Sequence, residues 1–249
     1  RELRNANKML NMNNPFLIVG YQGPEYFCDR EKETEVILSA LHNGRNITLV
    51  SPRRMGKTGL IKNVFYTLQE KEKNAKCFYL DIFSTQNLRE FVALLGREIL
   101  GKLDSLSQST LKTLLSFFKS CRPVITMDEL SGIPSVSLRQ SGRECYLAID
   151  EFQQIMEYPE KGVEGLLRSY IQFLPNVHFI FSGSKKHLME YIFFSIKRPF
   201  YQSTQKLFLD KISKEVYFSF AYSFFEKEGK ELPEEIFDKV YTWVDGHTW

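Results

Sequence analysis

The feature that most constrains the fold is a short apolar run that leads into a loop ending in G-K-T and then into a helical pattern. The run NITLV, at residues 46–50, is rich in β-branched residues and predicts a buried strand. The loop SPRRMGKT follows directly, and the next residues, KTGLIKNVFYTLQEKEK, place apolar side chains at helical spacing. In a strand, loop and helix of this kind, backbone N–H groups and the helix N-terminus converge on an anion. The sequence therefore predicts a phosphate-binding loop.

Three residues at the end of this loop match the chemistry that phosphate binding needs. Lys57 stands where a lysine reaches the terminal phosphates, Thr58 where a hydroxyl binds Mg²⁺, and Gly56 where the backbone comes closest to phosphate. The usual pattern, G-x-x-x-x-G-K-[ST], begins with glycine, whereas this loop begins with Ser51. Serine suits the turn if its φ is negative, so we expect the loop still to bind phosphate. The alternative for G-K-T alone is an ordinary surface turn before a helix.

A second motif lies in the run CYLAIDEFQQI, where mostly apolar residues lead into two adjacent carboxylates, Asp150 and Glu151. A carboxylate at the tip of a buried strand can hold the Mg²⁺ shell, and an adjacent glutamate can polarise an attacking water. We therefore predict that Asp150 serves the metal and that Glu151 is the catalytic base. The alternative is a solvated strand end or a helix cap.

The remaining segments alternate between strand and helix patterns, which predicts an α/β fold with a mostly parallel sheet. Two alternating runs around DELSG predict an inserted β-hairpin at about 121–142, and the residues from Ser141 to Glu144 are expected to be a mobile junction or a place where residues are unobserved. We predict a core domain over residues 1–210 and the start of a small helical lid over 211–249. A helix is expected after Asp29, which would be its N-cap.

Composition excludes several classes of protein. The 249 residues include 33 basic and 30 acidic residues, a net charge of +3, which is too balanced for a protein that coats nucleic acid. The four cysteines are dispersed and form no C-x-x-C pair, so we expect reduced thiols without a metal or disulfide role. No apolar run approaches the length of a membrane span, and we expect a cytoplasmic protein.

Five motifs in the same order, FCDREKE, SPRRMGKTGLI, YLDIFS, YLAIDEFQQI and FIFSGSKKHLM, resemble the archaeal-type P-loop ATPases related to the STAND branch of the AAA+ group. The resemblance covers almost the whole chain. It implies a three-layer P-loop NTPase sandwich with an inserted hairpin and a C-terminal helical lid. It also implies ATP and Mg²⁺ as cofactors. The nucleotide-binding set that it implies in the loop is Ser51, Pro52, Arg53, Arg54, Met55, Gly56, Lys57, Thr58 and Gly59.

Further site residues follow from the same resemblance. Asp29 and Arg30 match the segment near the adenine, with a plain helix cap as the alternative. Ser182 or Ser184 falls at the sensor position beside the γ-phosphate, with strand-end capping as the alternative, and Ser184 is carried as a catalytic residue. Arg198 resembles an arginine that senses the γ-phosphate or acts between subunits, and the alternative is a solvated charge. Arg53 and Arg54 also recur in the family's loop, and simple attraction to phosphate or a salt bridge would explain them equally well.

The sequence departs from the family near its end, where DGHTW has Thr248 in place of an expected proline, and His247 could approach the nucleotide there. Relatives commonly continue beyond this point, so we expect the ATPase part of a longer protein. A protein or nucleic-acid partner and an oligomeric state are both open alternatives. The predicted function is Mg²⁺-dependent ATP hydrolysis that drives a conformational switch. The alternative is an ATP-binding regulatory or scaffold module with little hydrolysis.

Overall fold

The computed structural model describes residues 20–73, 75–100, 124–127, 134–137, 144–172, 174 and 177–247. The α-helices in these ranges are α1 (Glu31–His42), α2 (Lys57–Lys71), α3 (Leu88–Leu100), α4 (Val163–Ile171), α5 (Lys186–Phe194), α6 (Lys214–Lys227) and α7 (Glu234–Val244). The strands are β1 (Asn46–Val50), β2 (Lys76–Asp81), β3 (Val124–Met127), β4 (Pro134–Ser137), β5 (Cys145–Asp150), β6 (Val177–Gly183) and β7 (Thr204–Phe208). Two 3-10 turns, Pro24–Tyr26 and Phe152–Glu157, complete the regular structure.

Five strands form one parallel sheet in the order β2-β5-β6-β1-β7. This confirms the predicted α/β fold. Strands β3 and β4 pair antiparallel in a separate two-stranded sheet, within the range where the sequence predicts an inserted hairpin. Except for Glu144, the junction expected at residues 141–144 lies outside the described residues. The division into a core and an incomplete lid stays a prediction.

Two apolar clusters, one on each face of the sheet, form the core. Along β5, Tyr146 and Ala148 belong to the cluster beneath α1 and α2, whereas Leu147 and Ile149 belong to the cluster beneath α3, α4 and α5. The same alternation occurs on β6, because successive side chains of a strand point to opposite faces. Both faces of the parallel sheet are therefore covered by helices, and the domain has three layers.

The sheet order places three functional segments at one edge. Strand β1 lies beside β6, and β6 lies beside β5, so the loop after β1, the carboxylates that end β5 and the serines that end β6 emerge together. Ligands of open parallel sheets bind outside these carboxyl ends. The topology therefore brings residues 51–58, 150–151 and 182–184 to a common edge.

The predicted helix cap at Asp29 is wrong. Helix α1 begins at Glu31, its N-cap position is Arg30, and no side chain caps it. Asp29 and Arg30 both have positive φ, 61° and 80°. An N-cap residue that accepts from the first turn has extended backbone dihedrals, which this left-handed turn does not provide.

Two expectations from composition can be compared with the described part of the chain. Of the helices it contains, none is long and apolar enough to cross a membrane. Cys28, Cys77 and Cys145 are free thiols. Burial raises the pKa of the Cys28 and Cys77 thiols to about 12, so both stay protonated at neutral pH and are poor nucleophiles.

Candidate active site

The loop between β1 and α2 accommodates serine at its first position. Ser51 is fully buried, its N–H donates to the Gly183 carbonyl at 3.2 Å, and its hydroxyl donates to the Pro52 carbonyl at 2.9 Å. Positive φ occurs later in the loop, at Arg54 (68°) and Gly56 (78°), and Ser51 is not among the described residues with positive φ. The condition under which serine is tolerated at the first position is therefore met.

The Lys57 side chain, at the first residue of α2, joins the loop to both carboxylates. Its ammonium lies 2.9 Å from Oδ1 of Asp150 and 2.9 Å from Oε1 of Glu151. The exposed fractions of the three side chains are 9%, 5% and 13%, so the cluster is largely removed from water. A lysine ammonium has three N–H donors, and two of them point to these carboxylates.

The carboxylate of Asp150 is oriented by hydroxyl groups from three other elements. Ser182 at the end of β6 donates to Oδ1 at 2.7 Å, and Tyr79 on β2 donates to Oδ2 at 2.6 Å. Thr58 Oγ1 also donates to Oδ2, at 3.4 Å. The carboxylate therefore presents Oδ2 toward the hydroxyl that the sequence assigns to the metal.

Glu151 is held in a different way and in a strained backbone. Its φ is 55°, an unusual value for a residue other than glycine. Oε1 accepts from Lys57, while Oε2 accepts from Ser184 Oγ at 2.8 Å and from Gln153 Nε2 at 2.5 Å. Strained backbones of this kind persist where the surroundings fix them, and they cluster at functional sites.

Both carboxyl groups are ionised well below neutral pH. Burial alone would raise the pKa of Asp150, but the Lys57 ammonium and the hydrogen bonds from Tyr79 and Ser182 outweigh burial and lower it. Burial likewise opposes ionisation of Glu151, and the Lys57 ammonium again outweighs it, so its pKa is also lowered. Burial and the Asp150 charge raise the pKa of the Tyr79 phenol, which therefore remains a donor. Glu151 is thus a carboxylate that can accept a proton or orient water.

The residues at this edge fit a magnesium ion. Mg²⁺ prefers hard oxygen ligands and is usually held by one or two carboxylates together with phosphates and water. Thr58 Oγ1 and Asp150 Oδ2 supply such a hydroxyl and carboxylate side by side, 3.4 Å apart. In the described ranges no group of three or more His, Cys, Asp or Glu side chains is arranged to hold a metal by itself.

A cavity of about 720 Å³ extends from this polar cluster to the C-terminal helices. Its polar end is formed by Lys57, Thr58, Asp150 and Glu151. Its other end is largely aromatic and aliphatic, with contributions from the segment before α1 and from α6 and α7: Tyr26, Phe27, Tyr217, Phe220, Phe237 and Tyr241. The size lies within the range of small-molecule sites, and the two ends suit a ligand with an anionic part and a flat apolar part.

The other predicted site residues divide into those at the cavity and those away from it. Pro52, Arg53, Arg54, Gly56 and Gly59 line it, as does Arg30. Arg53 lies over the Phe83 ring at 5.5 Å. Gly59 packs closely against Phe27, because a Cβ there would lie 3.1 Å from the ring.

Five predicted residues are not among those that line the cavity: Asp29, Ser51, Met55, Ser184 and Arg198. Met55 is a buried residue of the loop. The Arg198 guanidinium pairs with Glu164 at 3.0 Å and lies over the Tyr191 ring at 4.5 Å. A role for Arg198 at the nucleotide of its own chain has no support from this position, and a role between subunits stays a prediction.

Two residues of the cluster were missed from the sequence, Tyr79 and Gln153. The parallel register pairs Tyr79 with Ala148 on β5, two residues before the paired Asp81 and Asp150, so its ring can reach the strand end. A tyrosine in a buried strand needs a partner for its hydroxyl, which was the available signal. Gln153 is buried and lies in the 3-10 turn that follows Glu151. The spacing of apolar residues does not predict such a turn.

A parallel sheet covered on both faces, with a lysine loop and two carboxylates at its carboxyl edge, defines the P-loop NTPase class. Residues 27–249 match the model of the family described as an ATPase domain predominantly from Archaea. The chain therefore belongs to this family, and ATP binding and hydrolysis are its general activity. A search of curated proteins finds no significant match.

Solved structures support the fold. The Walker-type ATPase PABY2304 of Pyrococcus abyssi matches with a TM-score of 0.64 and 20% identity, covering 94% of this chain and 68% of that one. The ORC2 protein of Aeropyrum pernix, in ADPNP–ADP complexes, matches with a TM-score of 0.58 and 19% identity over 85% of this chain and 55% of that one. The ORC1 protein of the same organism, in complex with DNA, matches with a TM-score of 0.57 and 14% identity, covering 80% of this chain and 51% of that one. The chain thus spans about half the length of these ORC proteins.

Proposed function

We propose that this protein binds Mg²⁺-ATP at the Lys57 cluster, hydrolyses it with Glu151 as the base, and changes the position of α6 and α7 with the state of the nucleotide. One observation carries the proposal. A single cavity joins a polar end, made of the loop and two ionised carboxylates, to an aromatic end made partly by those two helices. A triphosphate fits the first end and a purine base the second.

Each residue at the polar end has a distinct task in this proposal. The third N–H donor of Lys57 is available to a phosphate oxygen, and the loop N–H groups add further donors. Thr58 and Asp150 would hold Mg²⁺, which neutralises charge on the transferring phosphoryl group. Glu151 would orient a water and accept its proton, while Ser184 and Gln153 keep the carboxylate in place.

Nucleotide control of the helices follows from what they contribute to the cavity. Helices α6 and α7 supply aromatic walls, and Tyr26 of the core segment stacks on Phe224 of α6 at 5.9 Å. A base bound between core and helices would favour one arrangement of the two over others, which is how a ligand shifts a conformational equilibrium.

A second candidate is an ATP-binding regulatory or scaffold module with little hydrolysis. The hydrogen bonds of Glu151 favour it. Lys57, Ser184 and Gln153 all donate to this carboxylate, and each bond lowers its basicity. A base stabilised as its anion is a weaker proton acceptor, so slow turnover would follow unless a nucleotide or partner removes one of the donors.

Finer assignments belong to the same proposal. The five motifs are the basis for proposing membership of the STAND branch, and the proposal also includes a role for Arg198 in a neighbouring subunit and a cytoplasmic location. Because solved structures of similar fold include ORC proteins, one of them in complex with DNA, a nucleic-acid or protein partner is proposed.

Calorimetric titration with ATP tests the binding step. Lys57→Ala should weaken ATP binding strongly, whereas Lys71→Ala, at the exposed end of the same helix, should leave it unchanged. Asp150→Asn should weaken ATP binding in the presence of Mg²⁺ more than it weakens ATP binding without Mg²⁺. The affinity of this variant for ATP should therefore depend less on the Mg²⁺ concentration. A wild-type protein that binds no ATP, or a Lys57→Ala variant that binds as tightly as wild type, would reject the proposal.

A further inference from the structure

One buried guanidinium connects three segments that meet at the cavity. Arg30 is 3% exposed, and its Nη1 donates to Glu33 at 2.8 Å. Its Nη2 donates to two main-chain carbonyls, that of Met55 in the phosphate-binding loop at 3.3 Å and that of Asp210. Asp210 belongs to residues 209–213, which connect β7 to α6 and are called the linker below.

The linker is attached at both of its ends. On the core side, the Leu209 N–H donates to the Val50 carbonyl at 3.0 Å, next to the Arg30 bond to Asp210. On the helical side, the Tyr241 hydroxyl of α7 donates to the Ile212 carbonyl at 2.7 Å. These residues are the covalent connection between β7 of the core and α6.

The loop carbonyl that Arg30 holds belongs to a peptide unit with a second function. The C=O of Met55 and the N–H of Gly56 belong to the same peptide unit. This peptide is trans, as are the other peptide bonds in the described residues, so its C=O and N–H point in opposite directions. Gly56 lines the cavity, whereas Met55 is buried. An anion that accepts from the Gly56 N–H polarises this peptide and makes the Met55 carbonyl a stronger acceptor for Arg30.

The backbone of this segment is also strained in a way that needs an explanation. Asp29 and Arg30 are consecutive non-glycine residues with φ of 61° and 80°. Such residues are unfavourable and persist only where the surrounding structure fixes them. The three hydrogen bonds of the guanidinium are contacts that can fix this turn, since they hold its side chain to two other segments.

We infer that Arg30 is a positioning residue that couples occupancy of the phosphate-binding loop to the linker, and through it to α6 and α7. The inference rests on the proposed function and gives a physical route for its conformational step. Anion binding strengthens the Met55 bond, which holds the guanidinium more firmly and so reduces opening of the Asp210 bond. By linkage, fixing the linker increases the affinity for the anion by the same factor.

Hydrogen exchange of the linker amides, measured with separate parts of the nucleotide, tests the route without any substitution. Inorganic tripolyphosphate reaches the loop but has no base to touch α6 or α7, whereas adenosine has no phosphate. We expect ATP and tripolyphosphate to slow linker exchange at least about fivefold at saturation, and adenosine to leave it unchanged. Tripolyphosphate that binds by calorimetry yet leaves linker exchange unchanged would overturn the inference.

Arg30→Lys removes the forked donor but keeps the charge, and Arg45→Lys, at an exposed arginine just beyond α1, is the matched control. In Arg30→Lys we expect the effect of tripolyphosphate on linker exchange to fall below about twofold, while Arg45→Lys behaves as wild type. An unchanged effect in Arg30→Lys would reject the inference and leave the proposed ATPase intact. A wild-type protein that binds neither ATP nor tripolyphosphate would instead reject the proposed function, and the inference with it.

Discussion

Replacement of Lys57 by methionine is the perturbation whose outcome the structure determines most closely. The ammonium lies 2.9 Å from an oxygen of each of two carboxylates, Asp150 and Glu151, and none of these three side chains is more than 13% exposed. Two unit charges 4 Å apart interact by about 4 kcal/mol at an effective dielectric constant of 20. Much of this is offset by desolvation, but removal of one partner of a buried pair costs about 3–5 kcal/mol, because the remaining charge is uncompensated. We expect Lys57→Met to lose about that much free energy of unfolding at pH 7.

The pH dependence of this loss has a definite sign. In the wild type the pKa values of Asp150 and Glu151 are lowered, so their contribution is present above their unfolded values of about 3.9 and 4.3 and is lost only as pH falls through the lower folded values. Without the ammonium, burial dominates and raises the pKa of at least one of these carboxyls. A carboxyl group whose folded pKa is raised contributes stability at low pH, and this contribution is lost as pH rises through the folded pKa. The variant should therefore become more stable from pH 7 to pH 5, while this cluster contributes no change in the wild type.

Urea unfolding followed by circular dichroism at pH 7 and pH 5 measures both effects. Lys71→Met, at the exposed end of α2, is the control and should change the free energy of unfolding by less than about 0.5 kcal/mol. A loss below about 1 kcal/mol in Lys57→Met at pH 7 would refute the reasoning, because it lies well under the range for a broken buried pair. An equal loss at the two pH values would show that the carboxyls keep low pKa values without the ammonium.

Three further substitutions probe the surroundings of the cluster. Tyr79→Phe removes the 2.6 Å hydrogen bond to Asp150 and should cost about 1.5–3 kcal/mol in urea unfolding, since the acceptor is charged; a neutral effect would contradict a formed bond. Gly183→Ala would place a Cβ 2.2 Å from Oε1 of Gln153, so we expect a loss of about 1–3 kcal/mol in the same assay and slower ATP turnover. Ser51→Gly should bind ATP as tightly as wild type or more tightly by calorimetry, and lost binding in a folded variant would reveal a specific role for the serine.

The sequence predicted the polar cluster because its members lie at strand ends. Lys57 follows β1, and Asp150 and Glu151 follow the apolar run of β5, and parallel strands bring their carboxyl ends to one edge. Apolar runs show where the strands stop, and together with the G-K-T loop and the adjacent carboxylates they were sufficient for this inference. The order of strands in the sheet, which decides that β1 and β5 flank β6, was not needed.

Contacts that depend on register or on unusual backbone conformations were not predictable in the same way. Tyr79 reaches Asp150 only because β2 pairs with β5 in one particular register. Gln153 reaches Glu151 through a turn that begins at a positive φ. The carbonyls bound by Arg30 are 25 and 180 residues away in sequence, and no local pattern indicates that they meet. The positive φ at Asp29, which ruled out the predicted cap, has no signature in the residue types.

The most direct test of the proposed activity is release of γ-phosphate in a single turnover, measured beside ATP affinity for the wild type and Glu151→Gln. The substitution keeps the shape of the side chain but removes the base, so affinity should be retained while the rate falls about 10²–10⁴-fold. Two results would contradict the proposal that Glu151 drives hydrolysis. One is release by Glu151→Gln at the wild-type rate. The other is a wild type that binds Mg²⁺-ATP yet releases no phosphate, which would favour the regulatory module with little hydrolysis.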